Sequence, residues 1–276
     1  MTYKEAYKQC IEKLNNALVP DYESDTRLLF QYILEADRSF MFMHGDDEVD
    51  DKKLSDLFDA VALREKRIPL QHITGYQNFM GLEFKVTKDV LIPRFDTECL
   101  VEEAMLVCAD GDKVLDVCTG SGCILISLMS YKNDISGYGI DISEKALNVA
   151  KENATAMGKA PTFIVSDLFE ACTEREFDII VSNPPYIRSD VIPTLMPEVK
   201  DYDPILALDG GDDGLIFYRR IVSESRDFLK KGGYLLVEIG NDQGDDVKAL
   251  FEESGYLDVE VVKDLSGNDR VVKGHL

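Results

Sequence analysis

The stretch Lys113-Val114-Leu115-Asp116-Val117-Cys118-Thr119-Gly120-Ser121-Gly122 decides the fold. A short apolar strand runs into a turn that carries two glycines, and a helical run from Cys123 to about Met129 follows. Glycine lets a backbone approach a ligand closely, and in an open α/β sheet ligands bind beyond the carboxyl ends of the strands. The same alternation continues downstream. Gly137 to Asp141 reads as a second strand, and Ser143 can cap a helix from Glu144 to Met157. Phe163 to Asp167 is a third strand and Phe177 to Ser182 a fourth. A helix at about 214–230, a strand from Tyr234 to Ile239, a helix at 242–252 and strands at about 256–262 and 269–273 complete the pattern. Apolar strands alternating with helices predict an α/β domain whose mainly parallel sheet is covered on both faces.

Four successive strands end on Asp116, Asp141, Asp167 and Asn183, all at one edge of that sheet. An acid closing the second strand, roughly 20 residues beyond a glycine turn, can accept both hydroxyls of a ribose. The pattern points to an adenosine-type cofactor. A dinucleotide site wants G-x-G-x-x-G, and a nucleotide-triphosphate loop wants Gly-Lys-Ser/Thr; neither occurs. Acids around the turn repel phosphate and favour a cationic, phosphate-free ligand, which is the chemistry of S-adenosylmethionine.

The fourth strand leads into Asn183-Pro184-Pro185-Tyr186. Proline fixes its own φ, lacks an N–H, and biases the preceding residue towards extended geometry. The result is a stiff edge of acceptors, the Asn183 side-chain amide and the Asn183 and Pro184 carbonyls, followed by an aromatic ring. Such an edge suits a planar –NH2 group, whose two hydrogens need two acceptors in one plane. Taken without the upstream pattern, it is also simply a strand ending in a proline turn.

Ahead of the sheet, Tyr3, Tyr7, Cys10, Leu14 and Ala17 form one stripe of an amphipathic helix ended by Pro20. A second run contains Leu28, Leu29, Tyr32 and Ile33; a third presents Leu54, Leu57, Phe58 and Val61 and ends near Pro69. Phe79, Leu82, Phe84 and Val86, with Gly81 among them, read as a β-hairpin. Ile92-Pro93-Arg94-Phe95-Asp96 then enters another helix, with Asp96 as its N-cap and Arg94 either a surface ion-pair partner or a site residue. His44 and His72 lack partners at ligand spacing and are expected in surface or cap roles; no metal site is expected.

The 276 residues carry 52 acidic against 30 basic side chains, a net charge of −22. That balance disfavours broad nucleic-acid binding and would steer in a basic protein partner, although solubility explains it as well. The six cysteines (Cys10, Cys99, Cys108, Cys118, Cys123 and Cys172) include no C-x-x-C pair and read as free thiols of a reducing cytoplasm. No signal peptide and no apolar run of about 18 residues is present, so a membrane location is not expected.

With the nucleotide pattern in place, three further segments carry a resemblance. They are Pro69-Leu-Gln-His-Ile-Thr-Gly75, Leu91-Ile-Pro-Arg-Phe-Asp-Thr-Glu98 and Leu206-Ala-Leu-Asp-Gly-Gly-Asp-Asp-Gly-Leu215. Together with Asp116 to Gly122, Asp141, Asp167-Leu168 and Asn183 to Tyr186 they resemble the HemK/PrmC family over essentially the full length. Those enzymes methylate the N5 of the glutamine in the Gly-Gly-Gln motif of peptide-chain release factors. The resemblance implies a class I S-adenosylmethionine-dependent methyltransferase, with a Rossmann-like seven-stranded sheet whose last strand is antiparallel. It further implies a small helical substrate-recognition domain at 1–75, a hairpin connector at 76–95 and the methyltransferase domain at 96–276, acting as a cytoplasmic monomer on a protein.

By the same resemblance, Asp116, Cys118, Thr119, Gly120, Ser121, Gly122, Asp141, Asp167, Leu168 and Asn183 form the cofactor site. Asn183, Pro184, Pro185 and Tyr186 hold the substrate amide, with Asn183, Pro184 and Tyr186 as the catalytic set. Two positions depart from the family pattern: Cys118 stands where glycine is usual and Phe95 where proline is usual. A side chain at 118 costs on the order of 1–3 kcal/mol if φ must be positive. Two other readings of the same residues are methylation of an exocyclic amine on a nucleobase and a non-catalytic adapter that keeps only the fold.

Overall fold

A computed structural model describes residues 1–276. The chain divides into two units: Met1–Gly75 together with Met196–Tyr202, and Tyr76–Leu195 together with Asp203–Leu276.

The first unit begins with α1 (Tyr3–Asn16), held at its start by a reciprocal Thr2–Glu5 capping box. α2 (Tyr22–Leu34), α3 (Arg38–His44), α4 (Asp51–Glu65) and the short α5 (Leu70–Thr74) follow. Asp37 and Asp50 cap α3 and α4 through their side chains. α1 buries Ala6, Cys10 and Leu14, and α4 buries Leu57, Ala60 and Val61, close to the expected stripes. The face of α2 differs. It buries Thr26, Leu29, Phe30 and Leu34 and leaves Leu28 and Tyr32 exposed, because two apolar faces compete in that run and the side of Phe30 meets α1 through Tyr7. α3 and α5 were not anticipated; at seven and five residues they are too short to display a helical period. The unit also contains a buried ion pair. Arg64 donates to Asp25 at 2.7 Å and to Glu198 of the 196–202 segment at 3.0 Å, and Glu198 also takes Arg67 at 2.5 Å.

The second unit opens with the hairpin β1 (Tyr76–Phe79) and β2 (Leu82–Lys85), paired antiparallel. α6 (Glu98–Val107) follows a single 3-10 turn at Phe95–Thr97, so the helix starts one residue later than a cap at Asp96 implies. Asp96 is not its cap: it lies inside that turn, with its carboxylate 3.3 Å from Arg270. Next come β3 (Lys113–Val117), α7 (Cys123–Tyr131), β4 (Ser136–Asp141), α8 (Glu144–Ala156), β5 (Thr162–Val165) and β6 (Phe177–Ser182). Ser143 caps α8 through Ala146 N at 3.2 Å, as its position before the apolar run predicts. The chain contributes the one-turn α9 (Pro197–Lys200) to the first unit and returns with α10 (Ile216–Glu224), β7 (Leu229–Glu238), α11 (Gly244–Glu253), β8 (Leu257–Lys263) and β9 (Asp269–His275). The helix expected at 214–230 stops earlier, because β7 already begins at Leu229 and pairs there with Phe177.

The seven strands run in the order β5-β4-β3-β6-β7-β9-β8. β3, β4, β5, β6 and β7 pair in parallel, and β9 lies antiparallel between β7 and β8, as expected for the last strand. Alternate residues feed two cores. Leu115, Val117, Ile180, Leu235 and Val237 belong to one, Val114, Ile179, Val181 and Leu236 to the other. That two-sided burial is why the central strands read as continuous apolar runs. Strand order reverses between β3 and β6, and of the four strand-end residues singled out above, Asp141, Asp167 and Asn183 line the cavity at their carboxyl ends, while Asp116 is buried. No helix is long and apolar enough to cross a membrane. All six cysteines are free.

Candidate active site

The turn after β3 is built around two carboxylates. Asp116 is fully buried; its Oδ2 accepts the Thr119 hydroxyl at 2.6 Å, and its Oδ1 has no partner. Burial pushes this carboxyl up to about 7, against the lowering effect of the Thr119 hydrogen bond. Asp141, at the end of β4, accepts Gly120 N at 2.9 Å on one oxygen and Ser143 N at 2.8 Å on the other. Each oxygen keeps a further lone pair for a ligand hydroxyl. Burial raises the Asp141 pKa, with the backbone donors opposing it. Gly120 sits at φ 55° with open space where a Cβ would be, so its backbone is bare towards a ligand.

Around this turn lies a cavity of about 670 Å³. Two non-glycine residues on its wall, Cys118 (φ 61°) and Leu168 (φ 47°), occupy the left-handed region. Strain of this kind collects at ligand sites. The Cys118 thiol is pushed far up by burial and then by the neighbouring Asp141 and Asp116, so it stays protonated and acts as an apolar wall. Asp167 lies beyond the end of β5, and its Oδ1 accepts Arg220 Nη1 at 2.8 Å.

Across the cavity, β6 ends at Ser182, whose hydroxyl is tied to Val117 O at 2.7 Å. Asn183 follows. Its Nδ2 donates to the Thr97 hydroxyl at 3.1 Å, which leaves Oδ1 as the side-chain acceptor available to the cavity. The Pro185-Tyr186 backbone is held by the Leu208–Leu215 segment. Ile187 N donates to Leu208 O at 2.9 Å and Gly210 N to Ile187 O at 2.8 Å. A Cβ on Gly210 would stand 2.7 Å from Tyr186 Cα, and one on Gly214, itself at φ 74°, 2.5 Å from Tyr186 O. The Gly-Gly segment therefore exists to come this close.

Of the residues selected from sequence, Cys118, Thr119, Gly120, Ser121, Asp141, Asp167, Leu168, Asn183 and Pro185 line the cavity. Asp116, Gly122, Pro184 and Tyr186 are not among its lining residues. Tyr186 turns its ring against the sheet core and donates its hydroxyl to Glu238 Oε1 at 3.2 Å.

Residues 5–75 match the PrmC N-terminal domain family, and residues 94–196 match the methyltransferase small domain family. A release factor glutamine methyltransferase of Clostridium acetobutylicum is 42% identical over 278 residues, covering 99% of this chain and 98% of that protein. The chain belongs to the release factor glutamine methyltransferase family. A second member, from Geobacter sulfurreducens, is 41% identical over 252 residues, 91% of this chain and 89% of that protein. The crystal structure of a methyltransferase from Pyrococcus furiosus superposes with a TM-score of 0.53 at 16% identity, covering 82% of this chain and 98% of that one, and so shares the fold. Membership of the release factor glutamine methyltransferase family, with the matched methyltransferase small domain, makes the chain a methyltransferase.

Several residues of this family member's site escape a reading along the chain. Thr97 is buried at the start of α6 and engages Asn183 from 86 positions away. Arg94 lines the cavity and is no surface ion pair: its partner at 2.5 Å, Asp203, is a buried carboxylate. Gln243 donates to Tyr186 O at 3.1 Å and to Gly214 O at 3.3 Å, joining the two segments. Glu238 closes β7 fully buried between Tyr186 and Arg270. Arg94 and Thr97 lie in the Leu91–Glu98 segment already singled out, and Glu238 has a signal as a lone acid near the end of an apolar run, where an uncompensated charge is costly.

Proposed function

We infer that this protein transfers a methyl group from S-adenosylmethionine to the side-chain amide nitrogen (N5) of the glutamine in the Gly-Gly-Gln motif of peptide-chain release factors. The observation that carries the reading is Asn183: Thr97 occupies its Nδ2, so its Oδ1 is an acceptor beside the cavity, at the head of a segment fixed by two prolines. Full-length similarity to proteins named release factor glutamine methyltransferases supports the substrate class.

The residues present fit the cofactor. Asp141 has lone pairs for ribose hydroxyls, Gly120 offers bare backbone, and Asp89, Asp141 and Asp167 favour a cation over a phosphate. When bound, S-adenosylmethionine supplies an electrophilic methyl group. The chain's own task is to present a nucleophile, and an amide nitrogen is a poor one because its lone pair is delocalised into the carbonyl. Asn183 Oδ1 and the Pro184 carbonyl accept the two amide hydrogens, which raises electron density on nitrogen and aims it. Positioning of this kind supplies several kcal/mol, up to ~7–11 in favourable cases. Residues 1–75 recognise the protein substrate, and the net charge of −22 keeps nucleic acid away.

The test is transfer of labelled methyl to a purified release factor, beside the same factor with its Gly-Gly-Gln glutamine changed to alanine. Label on the first alone is expected, and Asn183→Ala is expected to abolish it while cofactor affinity stays within a few-fold. Equal label on both factors, or none despite bound cofactor, would move the activity to another amine, with nucleobases tried next.

A further inference from the structure

Large apolar side chains stand in solvent around the mouth of the cavity. Ile142, Leu206 and Ile216 line the cavity and yet are about half exposed. Phe95 is 70% exposed and follows the wall residue Arg94; Ile205 is 52% exposed and lies between the wall residues Pro204 and Leu206. A single exposed apolar residue needs no explanation, but a group of them at the rim of a ligand cavity marks an interaction site.

These residues divide by position. Ile142 follows Asp141, and Ile216 begins the helix whose Arg220 holds Asp167, so both belong to the side of the cavity assigned to the cofactor. Phe95, Ile205 and Leu206 belong to the other side. Arg94 Nη2 donates to Asp203 Oδ2 at 2.5 Å, and Phe95 and Ile205 stand one and two residues beyond that bridge. Thr97, just past Phe95, accepts Asn183 Nδ2 at 3.1 Å. Leu208, just past Leu206, accepts Ile187 N at 2.9 Å through its carbonyl. This half of the rim therefore flanks the Asn183–Tyr186 edge.

We propose that Phe95, Ile205 and Leu206 form a docking surface for the protein substrate, packed against the strip of polypeptide that carries the reacting glutamine. The occupant follows from the reaction. Asn183 receives one side-chain amide inside the cavity, so the main chain that bears it must cross the mouth beside this edge. The two glycines ahead of the glutamine bring no side chains. Their backbone lies flat against one aromatic and two aliphatic side chains, where bulkier neighbours would be held off. Docking takes these three side chains out of water, which contributes affinity for the protein and leaves the methyl-transfer step itself untouched.

This inference rests on the glutamine reading, and the experiment keeps the two apart. KM for a purified release factor, kcat, and affinity for S-adenosylhomocysteine are measured for wild type, Phe95→Ser, Ile205→Ser, Phe95→Leu and Leu257→Ser. Leu257 serves as the control: it is 57% exposed but pairs with His275, towards the amino ends of the parallel strands and away from the cavity. Phe95→Ser and Ile205→Ser are expected to raise KM roughly 10-fold while kcat and cofactor affinity stay within about twofold. Phe95→Leu, which keeps an apolar side chain, is expected to recover most of the loss, and Leu257→Ser to match wild type. Wild-type protein that labels no release factor defeats the glutamine reading and this inference with it. With a labelling wild type, an unchanged KM in both serine variants at the rim, an equal rise in Leu257→Ser, or a loss of cofactor affinity as large as the rise in KM overturns the docking surface alone.

Discussion

Cys118 shows how much one residue's backbone can cost. It holds φ at 61° on the wall of the cavity, where L side chains are strained by about 1–2 kcal/mol. The fold tolerates this because the thiol packs against the sheet core and stays protonated. Replacing Cys118 with glycine relieves the strain but removes that packing and frees the unfolded chain, so denaturant titration is expected to show a change within about 1 kcal/mol. Cys118→Val keeps the strain and adds a β-branch, and it is expected to be less stable than the glycine variant by roughly 2–3 kcal/mol. Equal midpoints for the two would mean that the turn relaxes away from positive φ. The departure from glycine was visible in the sequence. The compensating pocket was not, since it is assembled from Asp116, Asp141, Asp167 and Ser182 on four separate segments.

The Leu208–Leu215 segment has no regular structure apart from backbone pairing with Ile187, yet it fixes the acceptor edge. Gly214 leaves no room for a Cβ beneath Tyr186 O, and Gln243 clamps the same carbonyl. Gly214→Ala is therefore expected to push the Asn183–Tyr186 segment away from the cavity. Turnover should fall by roughly 100-fold, while cofactor affinity, set by the turn after β3 and by Asp141, changes only a few-fold. Calorimetric titration of cofactor beside a methyl-transfer assay checks the split; equal loss of both would show that the two halves of the cavity are not independent. The sequence displayed the glycines as a motif. It did not display their purpose, because a close approach has no partner until both segments are in place.

Two buried carboxyls and a net charge of −22 dominate the response of the whole molecule to pH and salt. Asp116 rises from 3.8 and Glu238 from 4.5, each to about 7, so the folded state binds their protons more tightly than the unfolded chain. Their contribution to stability is complete below the unfolded values and is lost as pH rises through about 7. Self-repulsion among the excess acids adds to the loss. Tm is expected to fall between pH 5.5 and 8, on the order of several degrees, and to recover partly in added salt. Glu238→Gln is expected to flatten part of the pH dependence. A Tm that rises over that interval would mean that these groups ionise freely in the folded protein.

The sequence by itself determined the α/β alternation, the central strands nearly to the residue, the glycine turn, the acids at the strand ends and the Asn-Pro-Pro-Tyr edge. These are local facts: hydrophobic period, proline and glycine stereochemistry, and residues that close a strand. The tertiary structure alone decided which face of α2 is buried, that Asp96 meets Arg270 rather than capping a helix, that Arg94 meets a buried Asp203, and that Thr97 and Glu238 stand behind Asn183 and Tyr186. Each of these joins residues that only the folded chain brings together. Burial and pairing are properties of the packed neighbourhood, and no period along the chain encodes them.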